Sequence, residues 1–290
     1  MAGSFYPASS TGLQQQIETF LDQVNTEAKQ PKAIIAPHAG YIYSGTTAAL
    51  AYARLRPLSQ NIRRVVLLGP AHRVHLNGFA IPTTSHFTTP LGQVMIDKSF
   101  INKLIDLDSV HFMDEAHADE HCIEIQLPFL QVSLPEFTIV PVVVGNASTA
   151  QVETLLDLIW GGDDTLIVIS TDLSHFLDYQ SALVKDAQTA TLIEKMAYDK
   201  LKPDQACGAR PLGGLLKRAK RENMNIERLG MCNSADTAGN RERVVGYGAW
   251  ALYDAQNQAR EREHILLTLA RQSIEHGFTT SAPLQVDNNN

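Results

Sequence analysis

Three apolar runs in this sequence each end beside side chains able to bind a metal ion or move a proton. Ala33-Ile34-Ile35-Ala36 stops on Pro37 and His38. Val65-Val66-Leu67-Leu68 passes into Gly69-Pro70 with His72 just beyond, and Leu166-Ile167-Val168-Ile169 leads to Asp172 and His175. Short runs of this kind read as strands buried on both faces, which Pro and Gly then stop and turn. Ligands of open α/β sheets bind beyond the carboxyl ends of the strands. A parallel arrangement therefore brings His38, His72, Asp172 and His175 to one edge. One such histidine alone reads as a hydrogen-bonded loop residue; the threefold repeat points to a shared site.

A second cluster is "DEAHADEHCIEIQLPFLQ", residues 114 to 131. His117 and His121 are four apart and Glu124 is three further on, which places them on one face if the stretch is helical. The H-E-x-x-H zinc pattern is absent. Asp114, Glu115, Asp119 and Glu120 read equally as acids at a helix N-terminus, where the macrodipole favours them. The expectation is that His121 and Glu124 line the site while His117 and the flanking acids are solvated. Cys207 directly precedes a helix in "CGARPLGGLLKRAKREN", and amides at a helix N-terminus stabilise thiolate. It is suited to metal binding or nucleophilic chemistry, although taken alone a small residue at a helix start is the commoner explanation. Cys122 reads as core and Cys232 as structural, while His75, His86, His111, His264 and His276 read as surface or loop residues.

The elements that must position these groups alternate. Helices are expected over residues 12–24, 45–55, 98–106, 120–133, 149–160, 178–197 and 211–222, with an antiparallel excursion over 78–97. Further strands are expected at 137–145 and 165–170, and "IERLGMCN" and "RVVGYGAWALY" close the series. This is an α/β pattern: a largely parallel or mixed sheet covered by helices on both faces. Beyond Tyr253 the chain turns polar, then Ile265, Leu266, Leu269 and Ile274 fall along one helical face. The expected division is a metal-binding domain over 1–255, then a linker and amphipathic helix over 256–290.

Composition narrows the partners. The chain has 290 residues, 44% hydrophobic and 19% charged, which is globular rather than disordered. A formal net charge of −7 argues against nucleic acid or an anionic membrane. No apolar run reaches the roughly 18 residues of a membrane span, and "MAGSFYPASS" lacks the pattern of a signal peptide. Three irregularly spaced cysteines suit free thiols in a reducing cytoplasm.

The stretches "AGSFYP", "APHAGYIYSG", "GPAH", "DEHCIEIQLPFLQ", "STDLSHF", "CGARPLGGLL" and "RVVGYGAWAL" together resemble the Memo family, in order across residues 2 to 253. The resemblance implies a fold similar to class III extradiol dioxygenases, the non-haem iron enzymes that cleave catechol rings. It also implies a metal site on His38, His72 and Cys207, with His175, Asp172 and His121 as the expected catalytic groups. His175 would act as acid or base, and Asp172 would orient it or supply a ligand. Ring-cleaving enzymes hold Fe(II) with two histidines and a carboxylate; a cysteine in the third position leaves Fe, Cu and Zn open, with Fe the first expectation. "ILLTLARQSIEHGF" resembles the opening helix of an AMMECR-type domain.

The leading functional expectation is a metal-dependent redox protein similar to non-haem iron dioxygenases. The alternatives are a Zn-dependent hydrolase and a non-catalytic binding module that retains the pocket. Expected partners are an unidentified small molecule or peptide, a second copy of the chain, and an AMMECR-type domain or partner reached through the C-terminal helix.

Overall fold

The computed structural model describes residues 1–27 and 29–254. Its strands are β1 (Ala33–Ala36), β2 (Arg64–Pro70), β3 (Phe79–Ile81), β4 (His86–Thr89), β5 (Gly92–Met95), β6 (Val110–Phe112), β7 (Thr138–Val144), β8 (Thr165–Ser170), β9 (His175–Leu177), β10 (Asn225–Asn233) and β11 (Val244–Tyr253). The centre of the sheet is the parallel set β1, β8, β2 and β7. Every residue of β1 and β8 is buried. Neighbouring side chains of a strand point to opposite faces, so burial of all of them requires cover on both. This is why the apolar runs are continuous rather than alternating.

Beside β1, β11 runs antiparallel and β10 pairs with it; beside β7, β3 runs antiparallel and carries β6. The sheet is therefore mixed, with a parallel core. The helix Tyr41–Tyr52 packs on β1, β10 and β11. The helix Ala209–Arg221 packs on β2 and β8 and against the helix Thr149–Ile159. Ser148 starts that last helix with a capping box to Gln151.

Several expected elements differ in detail. Within 78–97, β4 and β5 form the antiparallel hairpin, but β3 joins the main sheet. The helix expected over 98–106 is limited to Lys98–Ile101, begun by Asp97 accepting from Ser99 and Phe100 N–H. The helix expected over 120–133 is two pieces, His121–Glu124 and Leu127–Ser133. Pro128 explains the break, since its ring would meet the carbonyl of residue 124 in a continuous helix. The expected tail helix bearing Ile265, Leu266, Leu269 and Ile274 lies outside the described residues, as do His264 and His276.

Candidate metal centre

His38, His72 and Asp172 each stand two residues beyond the end of a parallel strand, β1, β2 and β8 respectively. Ala36 pairs with Ser170, so His38 and Asp172 leave the sheet at the same level. There the His38 backbone N–H donates to Asp172 Oδ1 at 2.7 Å. His121, from the first piece of the broken helix, completes a group of three rings. Centroids are 5.2 Å apart for His38 and His72, 5.2 Å for His38 and His121, and 4.8 Å for His72 and His121. One donor nitrogen from each lies within 4.8 Å of the others.

The hydrogen bonds fix which nitrogen of His38 and His72 is free. The single Ser170 hydroxyl proton goes to the Cys122 carbonyl at 2.6 Å. Ser170 Oγ can then only accept, from Gln126 Nε2 at 2.8 Å and from His38 Nδ1 at 2.8 Å. His38 is thus the Nδ1–H tautomer, with a lone pair on Nε2. His72 Nδ1 meets Glu120 Oε1 at 2.8 Å, and a carboxylate accepts only, so in the neutral ring Nε2 is again the bare nitrogen.

Cys207 is brought to His38 by the turn before Ala209–Arg221, where Gly208 N–H donates to Thr171 Oγ1 at 2.8 Å. Its sulfur lies 3.2 Å from His38 Nε2 and accepts the Asp172 N–H at 3.3 Å. Nitrogen and sulfur bound to one ion at about 2.0 and 2.3 Å sit about 3 Å apart when cis at a right angle, and somewhat further in a tetrahedron. The separation fits shared ligation by Cys207 and His38, while the donors that all lie within 4.8 Å of one another are those of His38, His72 and His121. Imidazole and thiol donors suit Fe, Cu or Zn and not Mg or Ca, which take oxygen ligands.

Burial sets the charges. Burial and the neighbouring His72 bring His38 down to about 3, and burial together with His38 brings His121 down to about 4. Both rings are neutral at pH 7, as ligands must be. Burial works to raise Glu120, but hydrogen bonds from the His72 ring, the His72 N–H and the Cys122 N–H prevail and hold it at about 2. Burial and the Asp172 charge push Cys207 up to about 12. The expected thiolate at a helix N-terminus is therefore not present without an ion; burial outweighs the helix. Burial also raises Asp172, against the opposing pull of the His38 N–H and His175.

Other expected residues fall as follows. His175 is exposed, on β9 beside Val245 of β11. The next residue, Phe176, has φ of 59°, a left-handed conformation that costs a non-glycine residue strain. Among the described residues no hydrogen bond joins Asp172 to His175; the matched ends of β1 and β8 turn Asp172 Oδ1 to the His38 N–H instead. Glu124 accepts from Tyr6 OH at 2.5 Å and pairs with the Met1 ammonium at 3.0 Å. It secures the segment whose Phe5 ring lies 4.9 Å from His121.

Two expectations in this cluster are corrected. His117 is half-buried, not solvated: its Nε2 meets the Ala80 carbonyl at 3.2 Å and its ring faces Phe87. Glu120 is buried, not solvated, and anchors His72. The i, i+4 relation fails because Glu115–Ala118 ends at Asp119 and a new turn starts at His121. Only the break between the two short helices marks this residue, where Glu120 takes extended backbone as the N-cap of the second, and no Pro or Gly in the sequence announces that break. Cys122 is core as expected, while Cys232 is half-buried with its sulfur 2.9 Å from Thr47 Oγ1.

The sequence profile described as Memo-like protein matches residues 1–251. A MEMO1 family protein from Sulfolobus acidocaldarius is 34% identical over 272 residues, covering 85% of this chain and 95% of its own. Protein MEMO1 of Homo sapiens is 31% identical over 284 residues, covering 87% and 95%. A MEMO1 family protein from Aquifex aeolicus is 33% identical over 264 residues, covering 85% and 95%.

Proposed function

This chain belongs to the Memo family, and from that premise and the site geometry we propose that it is a metal-dependent redox protein similar to non-haem iron dioxygenases. The observation that supports this best is a thiol 3.2 Å from the bare nitrogen of a tautomer-fixed imidazole, with a second fixed imidazole beside it. His38 and His72 through Nε2, and Cys207 through Sγ, would hold the ion, iron first, with copper and zinc as alternatives. Bound there, iron or copper supplies electron transfer and zinc supplies Lewis acidity.

The remaining work falls to the chain's own side chains. Asp172 holds the His38 backbone, and Glu120 holds His72. His121, neutral at pH 7 with its ring against both other imidazoles, can take a proton from a group bound between them. His175, exposed at the rim, would pass protons between substrate and solvent. Among the described residues no helix is long and apolar enough to cross a membrane, and the three free thiols suit a reducing cytoplasm.

A zinc hydrolase is the second reading, favoured by the group His38, His72 and His121, since three imidazoles are a donor set of catalytic zinc. Metal analysis of protein purified without an affinity tag, with oxygen uptake on a panel of catechols, separates the two. Iron or copper with oxygen consumption supports the redox reading. Zinc with ester hydrolysis and no oxygen uptake replaces it.

A further inference from the structure

Glu120 is among the most enclosed charged groups of the site, its side chain only 1% exposed. Nitrogen surrounds both of its oxygens. Oε2 accepts the His72 N–H at 2.6 Å, while Oε1 accepts His72 Nδ1 at 2.8 Å and the Cys122 N–H at 3.1 Å. The same Oε1 lies 3.3 Å from His121 Nδ1. The angles of that last pair fall short of a hydrogen bond, and His121 Nδ1 is otherwise a buried nitrogen with no partner. A bare Nδ1 would set its lone pair against a carboxylate oxygen, whereas a protonated one is attracted to it. The Phe5 ring, its centroid 4.9 Å from that of His121, offers no donor.

We propose that Glu120 is a positioning residue for two imidazoles at once: it holds both His72 and His121 as the Nδ1–H tautomer, leaving Nε2 of each as the lone-pair nitrogen. Ser170 does the same for His38, so two side chains on different elements set all three rings alike. The consequence for ligation rests on the metal-centre reading; the tautomer assignment does not. A carboxylate behind a ligating imidazole raises its basicity, and losing such a partner costs about 10–100-fold in metal affinity. Glutamine cannot substitute. It keeps one acceptor oxygen and turns an NH2 toward one of the N–H groups that Glu120 now receives.

The test is long-range 1H–15N correlation NMR of the metal-free full chain with 15N-labelled histidine, joined to Zn(II) titration. Wild type should show Nδ1–H at both His72 and His121. Glu120→Gln should move at least one ring to Nε2–H or to a mixture and weaken Zn(II) about 10–100-fold. Glu115→Gln, an exposed acid one turn earlier, should change neither. Nε2–H on either ring of wild type overturns the proposal, and that spectrum decides even if Glu120→Gln does not fold. Glu120→Gln with both tautomers and the affinity intact also overturns it. Wild type with both rings Nδ1–H but no bound metal upholds the tautomer assignment and removes the metal-centre reading.

Discussion

The Cys207 sulfur stands 3.2 Å from His38 Nε2 across 169 positions of sequence. The pairing of β1 with β8 and the Gly208-to-Thr171 hydrogen bond bring them together. Without an ion the thiol is protonated and donates to the imidazole; with one, that proton must leave. Cys207→Ser keeps the size and removes the soft donor. It should weaken Zn(II) or Cu(I) by more than the about 10–100-fold typical of an outer partner, read by competition titration. Unchanged affinity would take Cys207 out of the ligand set.

Gly208→Ala attacks the same contact from the backbone. An added Cβ would lie 2.6 Å from Thr171 Cβ and 2.9 Å from the Ser170 carbonyl, which cannot swing aside. The expected cost is about 1–3 kcal/mol of stability, with weaker metal binding as Cys207 is pushed off His38. At Gly162 an added Cβ meets only Asp164 Oδ1 at 3.6 Å, so Gly162→Ala should be near neutral. Urea melts and a metal titration of both variants check this.

The site was legible where one local rule sufficed. Apolar runs broken by Pro or Gly located the ends of β1, β2 and β8, and parallel order then gathered His38, His72 and Asp172. The resemblance supplied Cys207, which stands next to a helix start as its sequence suggested. Glu120 was not legible, because a solvated acid at a helix start and a buried acid between two turns have the same sequence. His117 and His121 parted for a related reason: their spacing predicts a shared face only in one continuous helix. The partner of Asp172 depends on strand register, which pairs it with His38 rather than with the nearby His175.

Acid should destabilise the metal-free protein early. His38 and His121 bind protons in the unfolded chain near pH 6.5 but in the folded chain only near 3 and 4. The unfolded state thus holds more protons as pH falls below 6.5, so stability falls with it, by at most about 1.4 kcal/mol per pH unit for each ring. Glu120, held at about 2, adds stability above 4.5 that is lost as pH drops toward 2. Asp172 and Asp186, raised by burial, act in the opposite sense and offset part of this loss, while the two rings separate the states in the window of about pH 6.5 to 5. Urea melts across that window should show a steady loss. A profile that stays flat in Asp172→Asn and Asp186→Asn as well as in wild type would mean that one or both rings are already protonated in the fold.

His175→Gln tests the acid–base assignment. The residue lies outside the close three-ring group, so metal affinity should hold within a few-fold. Turnover on any catechol that wild type oxidises should fall about 10²–10⁴-fold. Equal turnover in the two proteins would assign the proton transfer to another group, with His121 next in line.

X-ray absorption on tag-free protein loaded with one equivalent of Zn(II) tests the centre most directly. The expected spectrum has one sulfur at about 2.3 Å and imidazole nitrogens at about 2.0–2.1 Å, the sulfur shell disappearing in Cys207→Ser. A spectrum of nitrogen and oxygen alone, the same in wild type and Cys207→Ser, would contradict a centre built on His38, His72 and Cys207.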